Sequence, residues 1–138
     1  MSRENVELVK TLNAAWNSGD LDSAFALMHH DFEWHTGVFP GLDPVYRGEE
    51  GFRKFERDFR STFESLRVTI DEMHDRGERV VAIARFEGRG RDGIDVTAPI
   101  AWVTTFRDGL AMRVDVYGSG AEALEAVGLW EGDSLKGE

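Results

Sequence analysis

The sequence predicts an α+β domain in which a cone-shaped, curved antiparallel sheet wraps around three N-terminal helices. Apolar residues recur at helical spacing in two stretches near the N-terminus and again over residues 49–63. Residues 66–117 contain four long β-rich runs separated by tight turns. Strands joined by tight turns are antiparallel neighbours, and one face of their sheet needs the helices to cover it.

The first two helices are predicted from apolar spacing and from residues that commonly end or cap a helix. The segment RENVELVKTLNAAW places its apolar residues on one helical face. Gly19 can end this helix, and Asp20 can cap the next one. The second helix is predicted over LDSAFALMH, which places His29 and His30 at its C-terminal end.

A stripe of phenylalanines predicts the third helix, over residues 49–63. Four phenylalanines fall on one face, and each would contribute roughly 2 kcal/mol if fully enclosed. The four are Phe52, Phe55, Phe59 and Phe63. The preceding GVFPGLDPVYRG contains two prolines and three glycines, so it is predicted to be a loop.

The strand DFEWHT alternates, which turns Trp34 toward one face of the sheet and Glu33 and His35 toward the other. The four later strands are predicted over residues 66–74, 79–88, 96–106 and 110–117. Pro99 predicts a bulge or a locally unpaired position in its strand. A short helix in AEALEAVGL, ended by Gly128, closes the domain.

The composition excludes several classes of function. The 138 residues make one domain, predicted over residues 1–129 with a polar tail at 130–138. A net charge of −10 lacks the basic footprint of a nucleic-acid partner, and no apolar run is long enough to span a membrane. Without cysteine there is no disulfide, thiol nucleophile or thiolate metal site. The N-terminus lacks the apolar core of a signal peptide, so a cytoplasmic location is expected.

Four stretches of the chain occur in a characteristic order. They are the helix end WNSGDLD, the strand DFEWH, the hairpin GRGRDG and the ending TFRDGLAMRVDVY…EALEAVGL. Together they resemble the nuclear-transport-factor-2-like superfamily, most closely its SnoaL-like branch, from about residue 6 to residue 129. The resemblance implies a cone with an apolar pocket and a homodimer formed through the sheet. Related proteins include ketosteroid isomerases, polyketide cyclases and epoxide hydrolases, so the fold fixes no reaction.

The resemblance also allows catalytic positions to be compared one by one. In ketosteroid isomerases a Tyr and a protonated Asp stabilise the oxyanion while a second Asp moves the proton. In this chain the tyrosine's place falls on Leu12, the base's place on Thr36, and the remaining carboxyl on Ala101 or Trp102. All three groups are missing, so steroid-type isomerisation is not expected.

Two ionisable residues remain as catalytic candidates. His35 is the best acid–base candidate because an imidazole titrates near neutrality, but the alternation that turns Trp34 inward turns His35 away. The aspartate that the cyclases use in the last strand aligns with Val116, one place from Asp115. A bulge could bring Asp115 inward, but strict alternation turns it to the opposite face. There it forms a polar face with Arg113 and Tyr117, and the alternative role is a cross-strand pair on the outer or dimer-facing side of the sheet.

Aromatic residues predict the lining of an interior pocket, although residues at this spacing would equally build a plain core. The predicted ligand-binding residues are Trp16, Trp34, Thr36, Tyr46, Phe55, Phe59 and Trp102. No metal site is expected, because adjacent histidines at a helix end, His29 and His30, cannot easily aim at one ion.

Three hypotheses for the function follow. The first is an enzyme without metal or redox cofactor, an isomerase, cyclase or hydrolase that acts on an apolar, oxygenated small molecule through His35 and Asp115. The second is a non-catalytic protein that binds a hydrophobic ligand. The third is a dimerisation domain, because PIAWVTTF and AMRVDVY carry apolar residues on both faces of their strands.

Overall fold

The computed structural model describes residues 2–37 and 42–128 and confirms the predicted α+β class, with one six-stranded sheet and four helices in these ranges. The helices are α1 (Ser2–Ser18), α2 (Leu21–Phe25), α3 (Gly48–Thr62) and α4 (Gly120–Ala126). The strands are β1 (Met28–His35), β2 (Val45–Arg47), β3 (Phe63–Arg76), β4 (Arg79–Gly90), β5 (Asp95–Arg107) and β6 (Leu110–Tyr117). No helix in the two described ranges is both long enough and apolar enough to cross a membrane.

The strands lie in the order β2-β1-β6-β5-β4-β3. Strands β3 to β6 are antiparallel neighbours along the chain, as their tight turns predict. Strand β1 instead runs parallel to β6, so the sheet is mixed rather than wholly antiparallel. No turn connects β1 with β6, and turn residues therefore could not reveal this pairing.

The predicted helix ends and hairpin turns have the expected geometry. Gly19 adopts φ +77° directly after α1. Asp20 caps α2, because its side-chain oxygen accepts the backbone N–H of Ser23 at 3.1 Å. Between β5 and β6, Asp108 and Gly109 both have positive φ angles, 53° and 78°, which a two-residue type I′ turn requires.

Two elements differ from the sequence predictions. Helix α2 is shorter than predicted, and His29 and His30 lie in β1 rather than at the end of a helix. The pairing of Met28 with Ala111 of β6 draws this segment into the sheet. The stretch predicted to be a loop contains the three-residue strand β2, which pairs with β1.

Pro99 produces no bulge, because it pairs in register with Arg85 of β4. On the other side of β5, pairing with β6 begins only at Ala101, so Pro99 lies where β5 has no β6 residue opposite it. Of the two outcomes predicted from the proline, a bulge or a locally unpaired position, the structure shows the second, on the β6 side of the strand. The predicted domain boundary at residue 129 and the polar tail lie outside the described residues.

Strand alternation divides the core into two clusters on opposite faces of the sheet. The inner face carries α1 and α3, and Val80 of β4 belongs to its cluster. The outer face carries α4, whose Leu124 packs in one cluster with Val81 and Val103. The sequence shows apolar residues on both faces of β5 and β6. On the outer face, α4 covers part of this apolar surface.

Strand β3 is one edge of the sheet, and α1 lies along it. The Asn17 side chain accepts the backbone N–H of Val68 at 2.9 Å and donates to the Val68 carbonyl at 2.8 Å. The Asn13 side chain donates to the same carbonyl at 3.1 Å. Two side-chain amides therefore hold the helix against the strand and hydrogen-bond to this edge at Val68.

Candidate functional site

The candidate site lies where α1, α3 and β1 meet on the inner face. Helix α3 places Phe55 and Phe59 on its buried side, at the helical spacing that the sequence predicts. The Phe55 ring lies 4.7 Å from the ring of Trp34 on β1, measured between centroids. The Phe59 ring lies 5.8 Å from that of Trp16 on α1, in an edge-to-face arrangement. These contacts join the three elements through large, rigid side chains.

The aromatic packing leaves two small cavities, of about 50 Å³ and about 40 Å³. The larger is lined by Asn13, Trp16, Trp34, Phe55, Phe59, Val68, Phe86, Ile100, Trp102 and Val116. The smaller is lined by Val9, Leu12, Asn13, Met28, Phe32, Trp34, Trp102, Thr104 and Val114. Because Asn13, Trp34 and Trp102 line both cavities, we infer that these three side chains separate them.

Two polar groups among these lining residues are buried without a partner. The indole Nε1 atoms of Trp16 and Trp34 have no hydrogen-bond acceptor among residues 2–37 and 42–128. A buried tryptophan N–H usually finds an acceptor, and leaving one unpaired costs about 1–3 kcal/mol. A ligand that brings an acceptor to these donors would recover part of that free energy.

The remaining lining is apolar or neutral. In the part of the chain that the structure describes, no Asp, Glu, His, Lys, Arg or Tyr lines either cavity. Thr104 is almost fully buried, and the Asn13 amide already donates to the Val68 carbonyl. Such a lining can hold a neutral molecule by dispersion contacts and by hydrogen bonds from the two indoles.

Five of the seven predicted ligand-binding residues meet at the larger cavity, namely Trp16, Trp34, Phe55, Phe59 and Trp102. Their role in binding stays a prediction. Sequence reasoning missed Asn13, although it lies three residues before Trp16 and so on the same helical face. It also missed Val116, whose inward direction follows from the alternation that turns Asp115 outward.

The other two predicted ligand-binding residues lie outside the lining of both cavities. The Thr36 hydroxyl donates to the Asp43 carbonyl at 2.6 Å. The Tyr46 hydroxyl accepts the Asp43 backbone N–H at 2.9 Å and donates to the Asp58 carboxylate at 2.8 Å. Burial, followed by the nearby acidic side chain of Asp58, raises the pKa of Tyr46, while the Asp43 N–H opposes the rise. These bonds hold Asp43 against Thr36 and Tyr46, and Tyr46 against Asp58 of α3.

The two catalytic candidates lie side by side on the outer face. His35 and Asp115 are direct neighbours across the parallel pair of β1 and β6. His35 Nε2 lies 2.9 Å from Glu33 Oε1, and Arg113 donates from two nitrogens to the Asp115 carboxylate, with a shortest contact of 2.8 Å. The hydrogen bond from His35, and then the contacts of Arg47, hold the pKa of Glu33 below its usual value despite partial desolvation. The pair lies on the face opposite the cavities, because Trp34, next to His35 in β1, lines them.

A wider groove of about 600 Å³ opens to solvent between α1 and β3. Its walls include Lys10, Arg67, Asp71 and Glu72. The Asp71 carboxylate already accepts hydrogen bonds from two nitrogens of Arg85, the shortest at 3.0 Å. Because its ionic groups face water and Asp71 is already paired with a residue outside the groove, we place the candidate site in the inner cavities rather than in this groove.

The comparisons with known proteins agree with this architecture. A family model described as the SnoaL-like domain matches residues 9–114. No match was found among curated proteins.

Several solved structures share the fold. An NTF2-like protein of unknown function from Burkholderia pseudomallei is 22% identical, with a TM-score of 0.78 over 88% of this chain and 95% of that one. TerC, co-crystallised with polyporic acid, is 24% identical, with a TM-score of 0.77 over 91% and 98% of the two chains. A putative SnoaL-like polyketide cyclase from Jannaschia is 21% identical, with a TM-score of 0.73 over 83% and 85%. At these identities the likeness shows the fold alone.

Proposed function

Because the chain belongs to the SnoaL-like domain family, we propose that it binds a small apolar molecule with one hydrogen-bond-accepting oxygen. The binding place is the pair of cavities on the inner face. The observation that carries this proposal is the pair of buried indole N–H groups, Trp16 and Trp34, which line the larger cavity without an acceptor. An oxygen acceptor would pair a donor that now lacks one, while aromatic rings surround the apolar body of the ligand.

The size of the cavities restricts the ligand and the way it enters. An engineered apolar cavity of about 150 Å³ binds benzene, so neither of these cavities alone has room for a ring of that size. Trp34 and Trp102 line both cavities, so a rotation of either indole would join the two spaces. We therefore expect a compact ligand whose binding is accompanied by movement of these side chains.

The catalytic role of His35 and Asp115 stays a prediction. Support for an enzyme comes from the fold, which a putative SnoaL-like polyketide cyclase shares. Both residues lie on the outer face and are already bonded within their own strands, to Glu33 and Arg113. Proton transfer by His35 or Asp115 to a molecule in the inner cavities would therefore have to act across the sheet.

Two further parts of the proposal concern assembly and location. The resemblance implies a homodimer through the sheet, and the outer face offers the surface for it. Helix α4 already covers Val81 and Val103 there, so a partner would contact the part of that face near His35 and Asp115. A cytoplasmic location remains an expectation from the sequence.

The test compares two molecules of nearly equal shape, cyclopentanone and cyclopentane. Binding is followed through the side-chain N–H signals of the four tryptophans by ¹H–¹⁵N NMR. In a purely apolar cavity the ketone would bind more weakly, because its carbonyl loses hydrogen bonds with water. We expect the ketone to bind at least as tightly as the hydrocarbon and to shift the signals of Trp16 and Trp34.

Variants separate the donors from the cavity itself. In Trp16→Phe/Trp34→Phe the ketone should lose about tenfold in affinity relative to the hydrocarbon, the loss expected for one hydrogen bond. Trp102→Phe enlarges the same cavities but keeps the unpaired N–H groups of Trp16 and Trp34. This variant should therefore show the same ratio of ketone affinity to hydrocarbon affinity as the wild type. A wild type that binds neither molecule, or that binds the ketone at least tenfold more weakly than the hydrocarbon, would refute the proposal.

A further inference from the structure

A second cluster of side chains lies at the start of β1, away from the inner cavities. Between Met28 and Glu33 this strand advances by five residues, while β6 advances by two, from Ala111 to Arg113. This irregularity in the parallel pair leaves β1 three residues longer than β6 over the same stretch, and we call it the bulge of β1. In a regular strand adjacent side chains point to opposite faces, and a bulge removes this restriction.

The bulge brings the side chains of His29, His30 and Asp31 together. The two imidazole rings are stacked, with centroids 4.3 Å apart and an angle of 26° between their planes. His30 Nε2 lies 3.4 Å from the Asp31 carboxylate. One ligand atom from each of the three residues lies within 4.8 Å of the others. The two histidines lie in β1 and not at the end of a helix, so the reason for expecting no metal site here does not hold.

The chemistry of the three groups is that of a transition-metal site. Two imidazole nitrogens and a carboxylate suit Zn²⁺, Ni²⁺ or Cu²⁺ better than Mg²⁺ or Ca²⁺, which prefer oxygen ligands. Metal–nitrogen bonds of about 2.0–2.1 Å require the ligand atoms to move closer together by rotation of their side chains. The His30 and Asp31 side chains are 83% and 65% exposed, so they can rotate and a hydrated ion can reach them.

One contact opposes metal binding at this cluster. His29 Nδ1 accepts the backbone N–H of Asp31 at 3.1 Å, so an ion bound to His29 competes with this hydrogen bond for the ring. The cluster also supplies three ligands where a structural zinc site has four. Both facts indicate moderate affinity, with a Kd on the order of 10 μM.

We propose that His29, His30 and Asp31 bind one divalent transition-metal ion, with water molecules in the remaining coordination positions. The ion would cross-link the bulge of β1 and so stabilise the start of this strand. The chain's net charge of −10 favours the approach of a cation. This site is independent of the ligand proposed for the inner cavities.

The experiment is a calorimetric titration of ZnCl₂ into the full chain without an affinity tag. The wild type should bind one ion per chain, with a Kd on the order of 10 μM. His29→Ala/His30→Ala should weaken binding at least about tenfold, since changes outside the ligand set already cost 10–100-fold. Asp31→Asn should weaken it several-fold, whereas His74→Gln, a histidine bonded to Glu72 in β3, should leave the Kd unchanged.

A second measurement keeps the test independent of folding defects. Zinc should raise the Tm of the wild type in a concentration-dependent way, because it binds the folded chain. It should not raise the Tm of the double histidine variant, whose fold is checked by circular dichroism. The proposal would be overturned if the wild type showed no saturable binding, if the double variant kept the wild-type Kd, or if Asp31→Asn left the Kd unchanged.

Discussion

The inner and outer faces of the sheet are built by the same strands but in different ways. On β1 and β6, Trp34 and Val116 face inward to the cavities, while His35 and Asp115 face outward. The inner face is closed by large aromatic rings that leave voids and two unpaired indole N–H groups. The outer face is closed by short side chains beneath α4 and by ion pairs beside it. Alternation along the strand therefore separates the apolar cavity from the ionisable groups.

The difference between the faces follows from the size of their side chains. Rigid rings that meet edge to face, such as Trp16 and Phe59, cannot fill every gap between two helices and a curved sheet. Helix α4 approaches the outer face closely at Gly120, where a Cβ atom would lie 2.8 Å from the Ile83 side chain. Close contact of this kind leaves little room for a ligand. This close packing supports the proposal that the ligand binds on the inner face.

The largest expected effect on stability comes from removing an aromatic ring on the inner face. Phe55 is 2% exposed and contacts Trp34, so Phe55→Ala should lower the free energy of unfolding by about 3–5 kcal/mol. Urea denaturation measures this loss. The control, Phe25→Ala, removes a half-buried ring and should cost clearly less. A loss below about 1 kcal/mol for Phe55→Ala would contradict the central place of this ring in the core.

An intermediate effect is expected on the outer face. Leu124 of α4 is 1% exposed in the cluster with Val81 and Val103, so Leu124→Ala should cost about 2–3 kcal/mol in the same assay. Glu125→Ala, which changes the exposed neighbour on the same helix, should stay within about 0.5 kcal/mol. Equal losses in the two variants would show that α4 does not cover the outer face in solution.

The smallest effect is the pH dependence that Glu33 contributes. Its folded pKa lies below the ordinary value of 4.5, so the unfolded chain takes up this proton first as the pH falls. The stabilisation is complete above pH 4.5 and is lost as the pH falls through the lower folded pKa. Since the Glu33 side chain is 32% exposed, the contribution is at most about 1 kcal/mol.

The comparison is made by measuring the free energy of unfolding between pH 7 and pH 3 in urea. Glu33→Gln should lose less stability below pH 4.5 than the wild type does. Glu125→Gln, which changes an exposed glutamate on α4, should follow the wild-type curve. If Glu33→Gln also followed that curve, the His35–Glu33 contact would carry no pH-dependent stability.

Local patterns predicted those features that depend on neighbours in the chain. Helical spacing placed Phe55 and Phe59 together, and alternation separated Trp34 from His35. The parallel pairing of β1 with β6 and the short strand β2 were missed, because both depend on contacts between distant segments. Tyr46 was predicted to line the pocket, but its hydroxyl is hydrogen-bonded to Asp43 and Asp58. Sequence spacing does not reveal such hydrogen bonds. The unpaired indoles were also beyond prediction, since they depend on how three elements meet.

The Asn17 amide that links α1 to β3 also affects whether strands of two molecules can pair with each other. An exposed edge strand of a sheet can form hydrogen bonds with a strand of another molecule, which is a first step toward fibrils. At Val68 the N–H and carbonyl that such an incoming strand would need are already bonded to Asn17. Helix α1 therefore does more than cover the apolar core, because it also occupies the edge of the sheet at the position where another strand would pair.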